Sequence, residues 1–299
     1  MDRLSKAIAA DGTVRVISAI TTDTVTEAFR RHQTSPTATA ALGRTMTGAV
    51  LLGASFKDVD RLTIKVEGDG PLESIIAEAT AGGGLRGYVH NPQADLPPNE
   101  IGKFDVRGIV GNGMFHVIRE SGYELGINTE PYIGSVPIVS GEIGEDLAFY
   151  LANSEQIPSA VMVGVLLQNQ EPYVAAAGGV LVQMMPGANE HIITMIEDTI
   201  KHAPHVTKLV SEGATPSDLI REALGIIEFE VLEESDLAFK CTCSMERARS
   251  MVASVGRDEV ASMLAEDKQA TMTCGFCNEH YTLGEADLVE ILNELQTNV

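Results

Sequence analysis

Apolar and polar positions change period along this chain, and the changes mark out its elements. Val14, Val16, Ser18 and Ile20 alternate behind a turn at Asp11-Gly12, so residues 1–20 read as a hairpin that opens a sheet. Thr22-Asp23 offers an N-cap to a short helix carrying Val25, Ala28 and Phe29. From Ser35-Pro36 to Ser55 the spacing turns helical, with Ala38, Leu42, Met46, Ala49 and Val50 recurring and Pro36 suited to the first turn. The apolar richness of this segment predicts a helix buried on most sides, and Gly43, Gly48 and Gly53 are small positions where other elements can pack closely. Residues 61–119 then read mostly as strands. Leu62–Val66 alternates, Leu72–Ala79 and Leu85–His90 flank Gly82-Gly83-Gly84, and Val106–Val110 and Met114–Ile118 flank Gly111-Asn112-Gly113. Ser140 precedes a helix with Ile143, Leu147, Tyr150 and Leu151 on one face. Glu142, Glu145 and Asp146 read as its solvated first turn, where carboxylates complement the helix dipole. Ala160–Leu167 and Val174–Val182 are near-continuous apolar runs, predicted as central strands buried on both faces.

Pro186-Gly187 marks a boundary. Beyond it Ile192, Ile193, Ile196 and Ile200 form one helical stripe, Val206, Leu209 and Val210 a second, and Leu219, Ile220 and Leu224 a third that starts at Thr215-Pro216-Ser217-Asp218. Isolated helices under about 12–15 residues are marginal in water, so these three need a surface to lie on. Ile227, Phe229 and Val231 alternate next. Arg247–Val255 and Arg257–Glu266 read as helices interrupted at Gly256, and Gln269–Thr273 as a short strand. Thr282-Leu283-Gly284-Glu285 reads as a capping box for a terminal helix carrying Leu288, Ile291, Leu292 and Leu295.

Composition narrows the function. The 299 residues hold no Trp and carry a net charge of −21, so the core is aliphatic and a broad basic face for nucleic acid is excluded. No apolar run reaches about 18 residues and the first twelve residues carry no signal peptide, which points to a cytosolic chain without a membrane span. Gly82, Gly84 and Gly87 formally match a dinucleotide-binding fingerprint, but Gly87–His90 reads as a strand where that motif needs a helix.

The chemistry lies in the last 60 positions, where all four cysteines fall in two close pairs: Cys241-Thr242-Cys243 and Cys274-Gly275-Phe276-Cys277. In a reducing compartment such pairs read as a metal or redox site before they read as disulfide staples. Four thiolates at about 2.3 Å satisfy a tetrahedral structural zinc, and Cys274-x-x-Cys277 has the spacing of a zinc knuckle. The narrower Cys241-x-Cys243 bite also leaves two sulfurs close enough to oxidise to each other. Four cysteines already complete a tetrahedron, so His280 reads as an exposed strand residue. A unit of about 60 residues has too little core to stand alone and often depends on its metal.

The order of these parts resembles the redox-regulated heat-shock protein thirty-three family of bacterial chaperones, over nearly the whole chain. The resemblance is carried by the two cysteine pairs, by Arg31-His32 with Ser35-Pro36-Thr37-Ala38-Thr39-Ala40-Ala41-Leu42-Gly43-Arg44, by Gly178-Gly179, by Gln183-Met184-Met185-Pro186-Gly187, and by Cys277-Asn278-Glu279. It implies an α+β fold with an N-terminal sheet-and-helix core domain (1–186), a helical linker arm (187–236) and a small C-terminal zinc-binding redox-switch module (237–299). It further implies one zinc held by Cys241, Cys243, Cys274 and Cys277 in the reduced, inactive state. Oxidation would then give Cys241–Cys243 and Cys274–Cys277 disulfides, loss of zinc, unfolding of the module and release of the arm. The product is a homodimer that holds unfolding clients without ATP, a stress-response role in the cytoplasm with no enzymatic turnover, no nucleic acid and no membrane. Two other readings of the same cysteines remain: a thiol–disulfide oxidoreductase using Cys274-x-x-Cys277, and a constitutive zinc-ribbon interaction protein.

Overall fold

The structure, a computed structural model, describes residues 1–57, 59–122 and 130–297. They fall into two compact units, Met1–Lys240 and Cys241–Val299.

The first unit begins with the hairpin β1 (Arg3–Ala9) and β2 (Val14–Ile20), followed by α1 (Thr22–His32) and α2 (Pro36–Ser55). Strands β3 (Arg61–Gly68), β4 (Ser74–Thr80) and β5 (Gly84–Val89), helix α3 (Val106–Val110), and strands β6 (Gly113–Glu120) and β7 (Tyr132–Pro137) come next. Helix α4 (Gly144–Asn153) leads to the pair β8 (Ser159–Leu167) and β9 (Val174–Met184). Three helices, α5 (Glu190–His202), α6 (Val206–Ser211) and α7 (Pro216–Leu224), precede β10 (Phe229–Asp236) and β11 (Ala238–Phe239).

Two sheets result, in the orders β10-β1-β2-β9-β8 and β11-β5-β4-β3-β6-β7. Helix α2 packs against β2, β8 and β9 of one and β3, β4 and β5 of the other. This is why its sequence is apolar nearly all round: Leu42, Met46, Leu51 and Leu52 are fully buried between the sheets. Ser35 caps it, accepting the Ala38 N–H at 3.2 Å, with Pro36 in the first turn as expected. The opposite face of the five-stranded sheet carries α5–α7. Ile196, Leu219, Ile220 and Leu224 form one buried cluster with Val14, Val16, Val180 and Val182, which is the surface these short helices need. Strand β10 closes this sheet by pairing antiparallel with β1, Lys6 facing Glu233 and Arg3 facing Asp236.

Several expectations are corrected here. Val106–Val110 is a helix, because Asp105 caps it by accepting the Gly108 N–H at 2.9 Å and Val106, Ile109 and Val110 share its buried face. β8 is an edge strand and mostly half-exposed, so only β9 of the apolar pair is buried along its length. Thr22-Asp23 lies inside α1. That helix is capped instead by the buried Asp2 carboxylate, which accepts the backbone N–H of Asp23 at 3.0 Å and of Thr24 at 2.7 Å. Asp146 is fully buried, not solvated, and binds the loop that enters α4. Gly84–Val89 is a strand, which removes the dinucleotide motif.

The second unit consists of α8 (Met245–Ser254), α9 (Arg257–Glu266), the hairpin β12 (Ala270–Thr273) and β13 (His280–Leu283), and α10 (Glu285–Thr297). Its core is small: Val252, Val260, Ala270, Leu283, Leu288 and Ile291. Thr282 pairs with Thr271 in the hairpin, so no capping box forms there; Asp287 instead accepts the Gly284 N–H at 2.8 Å.

Candidate metal centre

The four cysteines come from two local structures within the second unit. Cys241 and Cys243 lie on an irregular stretch ahead of α8. Ser244 ends that stretch by capping α8, accepting the Arg247 N–H at 3.2 Å, and the Arg247 guanidinium donates to Thr242 Oγ1 at 2.6 Å. Cys274 and Cys277 occupy the turn between β12 and β13. The Cys274 N–H donates to the Glu279 carbonyl at 2.9 Å and the Asn278 N–H to the Cys274 carbonyl at 2.8 Å. Asn278 adopts a left-handed backbone (φ 59°), which Asn tolerates better than most residues, and this closes the knuckle.

These two loops bring all four Sγ atoms within 4.8 Å of one another. Cys241 and Cys274 lie 3.7 Å apart, and Cys243 and Cys277 3.3 Å apart. A disulfide needs about 2.05 Å, and all four are free thiols. Four ligands at about 2.3 Å from one ion sit about 3.8 Å from one another in a regular tetrahedron, so the observed spacing fits a tetrahedral thiolate site. Electrostatics agree. Burial pushes the Cys274 and Cys277 thiols above the ordinary range, and the hydrogen-bonded Cys241 and Cys243 sulfurs push the same way. Four thiolates cannot gather here on their own charge; a divalent cation reverses that penalty and deprotonates its ligands.

His280 stands outside the cluster, exposed on β13, with Nδ1 2.9 Å from Thr273 Oγ1. Sequence reading missed the neighbouring Tyr281, whose hydroxyl donates to Cys243 Sγ at 3.1 Å. It stands 38 positions from Cys243, too far along the chain for any local pattern to mark it.

Fold and cluster together define an α+β protein with a four-thiol centre in its smaller unit. The family model described as Hsp33 protein matches residues 2–284, and the chain belongs to the Hsp33 family. It is 45% identical over 295 residues to the 33 kDa chaperonin of Desulforamulus reducens, covering 99% of this chain and 98% of the relative. It is 46% identical over 289 residues to that of Bacillus subtilis, covering 96% and 97%. The crystal structure of the Thermotoga maritima 33 kDa chaperonin (heat shock protein 33 homolog) superposes with a TM-score of 0.90 at 36% identity, over 99% of each chain.

Proposed function

We propose that this protein is a redox-switched, ATP-independent chaperone whose sensor is a zinc ion held by Cys241, Cys243, Cys274 and Cys277. The observation that carries the reading is the convergence of four free thiols, all within 4.8 Å of one another, in a unit whose core cluster holds six buried side chains among the described residues. Bound there, zinc supplies folding free energy by tying the 241–243 loop to the β12–β13 hairpin. The same thiolates are oxidisable. Joining Cys241 to Cys243 and Cys274 to Cys277 removes two electrons per disulfide, each pair reducing one peroxide to water, and leaves no thiolate to hold the metal.

Loss of the ligand set unfolds the C-terminal module, taken as residues 237–299. The linker arm, residues 187–236, then leaves the N-terminal core of residues 1–186. Its helices α5–α7 bury Ile196, Leu219, Ile220 and Leu224 against β1, β2 and β9, so release uncovers aliphatic surface on both partners. That surface suits unfolding client proteins and a second copy of the chain, giving a homodimer in the oxidised state. The cysteines act as a sensor and turn over no substrate, and the protein works in the cytoplasm under oxidative stress.

The test is light scattering from a heat-unfolding client with the protein added either reduced and zinc-loaded or pre-oxidised by peroxide. Suppression by the oxidised form alone is expected. Equal suppression by both forms would reduce the zinc to a structural role, and no suppression by either would remove the chaperone reading.

A further inference from the structure

Tyr281 sits on β13, opposite Met272 of β12, and its half-buried side chain reaches out of the hairpin to the other cysteine loop. Its hydroxyl donates to Cys243 Sγ at 3.1 Å. This contact joins the two halves of the four-thiol centre by a bond that is not itself a metal bond. The stretch holding Cys243 has no strand or helix of its own, so its position is fixed by Ser244 at the start of α8, by Arg247 on Thr242, and by Tyr281.

An O–H donor aimed at a sulfur draws electron density from it. Partners of this kind orient a ligand, and their loss commonly weakens metal affinity about 10–100-fold. The same hydrogen bond lowers the nucleophilicity on which attack at a peroxide oxygen depends. We infer that Tyr281 is a positioning residue for Cys243, which holds that sulfur toward the metal and slows its oxidation, so that it sets the threshold of the switch. The inference rests on the zinc-thiolate reading above.

The experiment compares the full-length protein with Tyr281→Phe, which keeps the ring and removes the donor. Cobalt(II) loaded in place of zinc reports the ligands directly. In the variant, the sulfur-to-cobalt charge-transfer band should move to lower energy while the ligand-field bands of the tetrahedral site stay where they are. Chelator competition should show zinc held about tenfold more weakly, and peroxide should oxidise the four thiols severalfold faster. A fold disrupted by the substitution would instead alter the ligand-field bands. In that event, 3-fluorotyrosine placed at position 281 alone, a stronger donor of the same shape, carries the test: the band should move to higher energy and oxidation should slow. An unchanged band, affinity and oxidation rate in a variant that loads cobalt normally would overturn the role of Tyr281 and leave the zinc reading intact. A wild-type protein that takes up no cobalt would overturn both.

Discussion

Asp146 has no access to solvent, yet its carboxylate accepts the backbone N–H of Val139 at 2.8 Å, Ser140 at 2.9 Å and Ile143 at 3.0 Å. One side chain therefore closes the loop between β7 and α4. Asp146→Ala would leave several buried donors without a partner, each costing about 1–3 kcal/mol, so urea unfolding should show a loss of at least about 2 kcal/mol. A midpoint within error of wild type would mean that water replaces the carboxylate. Glu27 makes the opposite kind of contact, near the surface of α1. Hydrogen bonds from Arg30, then Arg31, bring its carboxyl from the ordinary 4.5 down to about 2. The folded value lies below the unfolded one, so the pair's stabilisation is complete above pH 4.5 and is lost as the pH falls toward 2. The group is partly solvated and the effect correspondingly screened. Glu27→Gln should flatten part of the stability-versus-pH curve in that window and leave its shape above pH 5 unchanged. Equal slopes below pH 4.5 would show that the pair does not persist in solution.

At the scale of elements, apolar richness found α2 and β9, which are buried on nearly all sides, and periodicity found the three helices α5–α7, whose apolar stripes pack on the five-stranded sheet. It misread Val106–Val110, since one turn of helix and one short strand present the same apolar residues and only Asp105 as cap tells them apart. The convergence of the four cysteines was legible because they cluster in sequence, whereas Tyr281 and the Asp2 cap were not, because each meets its partner only after strands and loops have folded. Another feature that sequence could not supply is how closely α6 lies on β8. A Cβ built on Gly164 would stand 2.7 Å from Thr207 Cγ2, well inside contact distance. Gly164→Ala should therefore lift α6 from the sheet and speed hydrogen exchange across Val206–Ser211. Adding Thr207→Ser, which deletes that methyl group, should restore protection. If the double variant exchanges as fast as the single one, the disturbance arises in β8 itself and not at the helix contact. On the proposed switch, the single variant should also suppress client aggregation while reduced, and the double variant should not.

At the scale of the whole molecule the two units differ in what holds them. Met1–Lys240 buries a continuous aliphatic core around α2 and a second one under α5–α7. Among the described residues, the core cluster of Cys241–Val299 holds six buried side chains, one of them the small Ala270. A core of that size leaves about 60 residues with little net stability, while a structural zinc site contributes an apparent 10–16 kcal/mol or so. On the proposed zinc site, metal removal should therefore unfold the second unit and release α5–α7, while the core around α2 in the first stays intact. With a chelator present and the thiols kept reduced, hydrogen exchange should become fast throughout α8, α9, the β12–β13 hairpin and α10, while β2, β9 and α2 stay protected. Cys277→Ser, which removes the most buried of the four cysteines at 3% exposure, should reproduce that pattern without chelator. Protection that persists in α8–α10 after metal removal would mean that the six-residue core suffices by itself. Oxidation would then have no unfolding step to trigger, and the switch would have to act through some route other than loss of the module's fold.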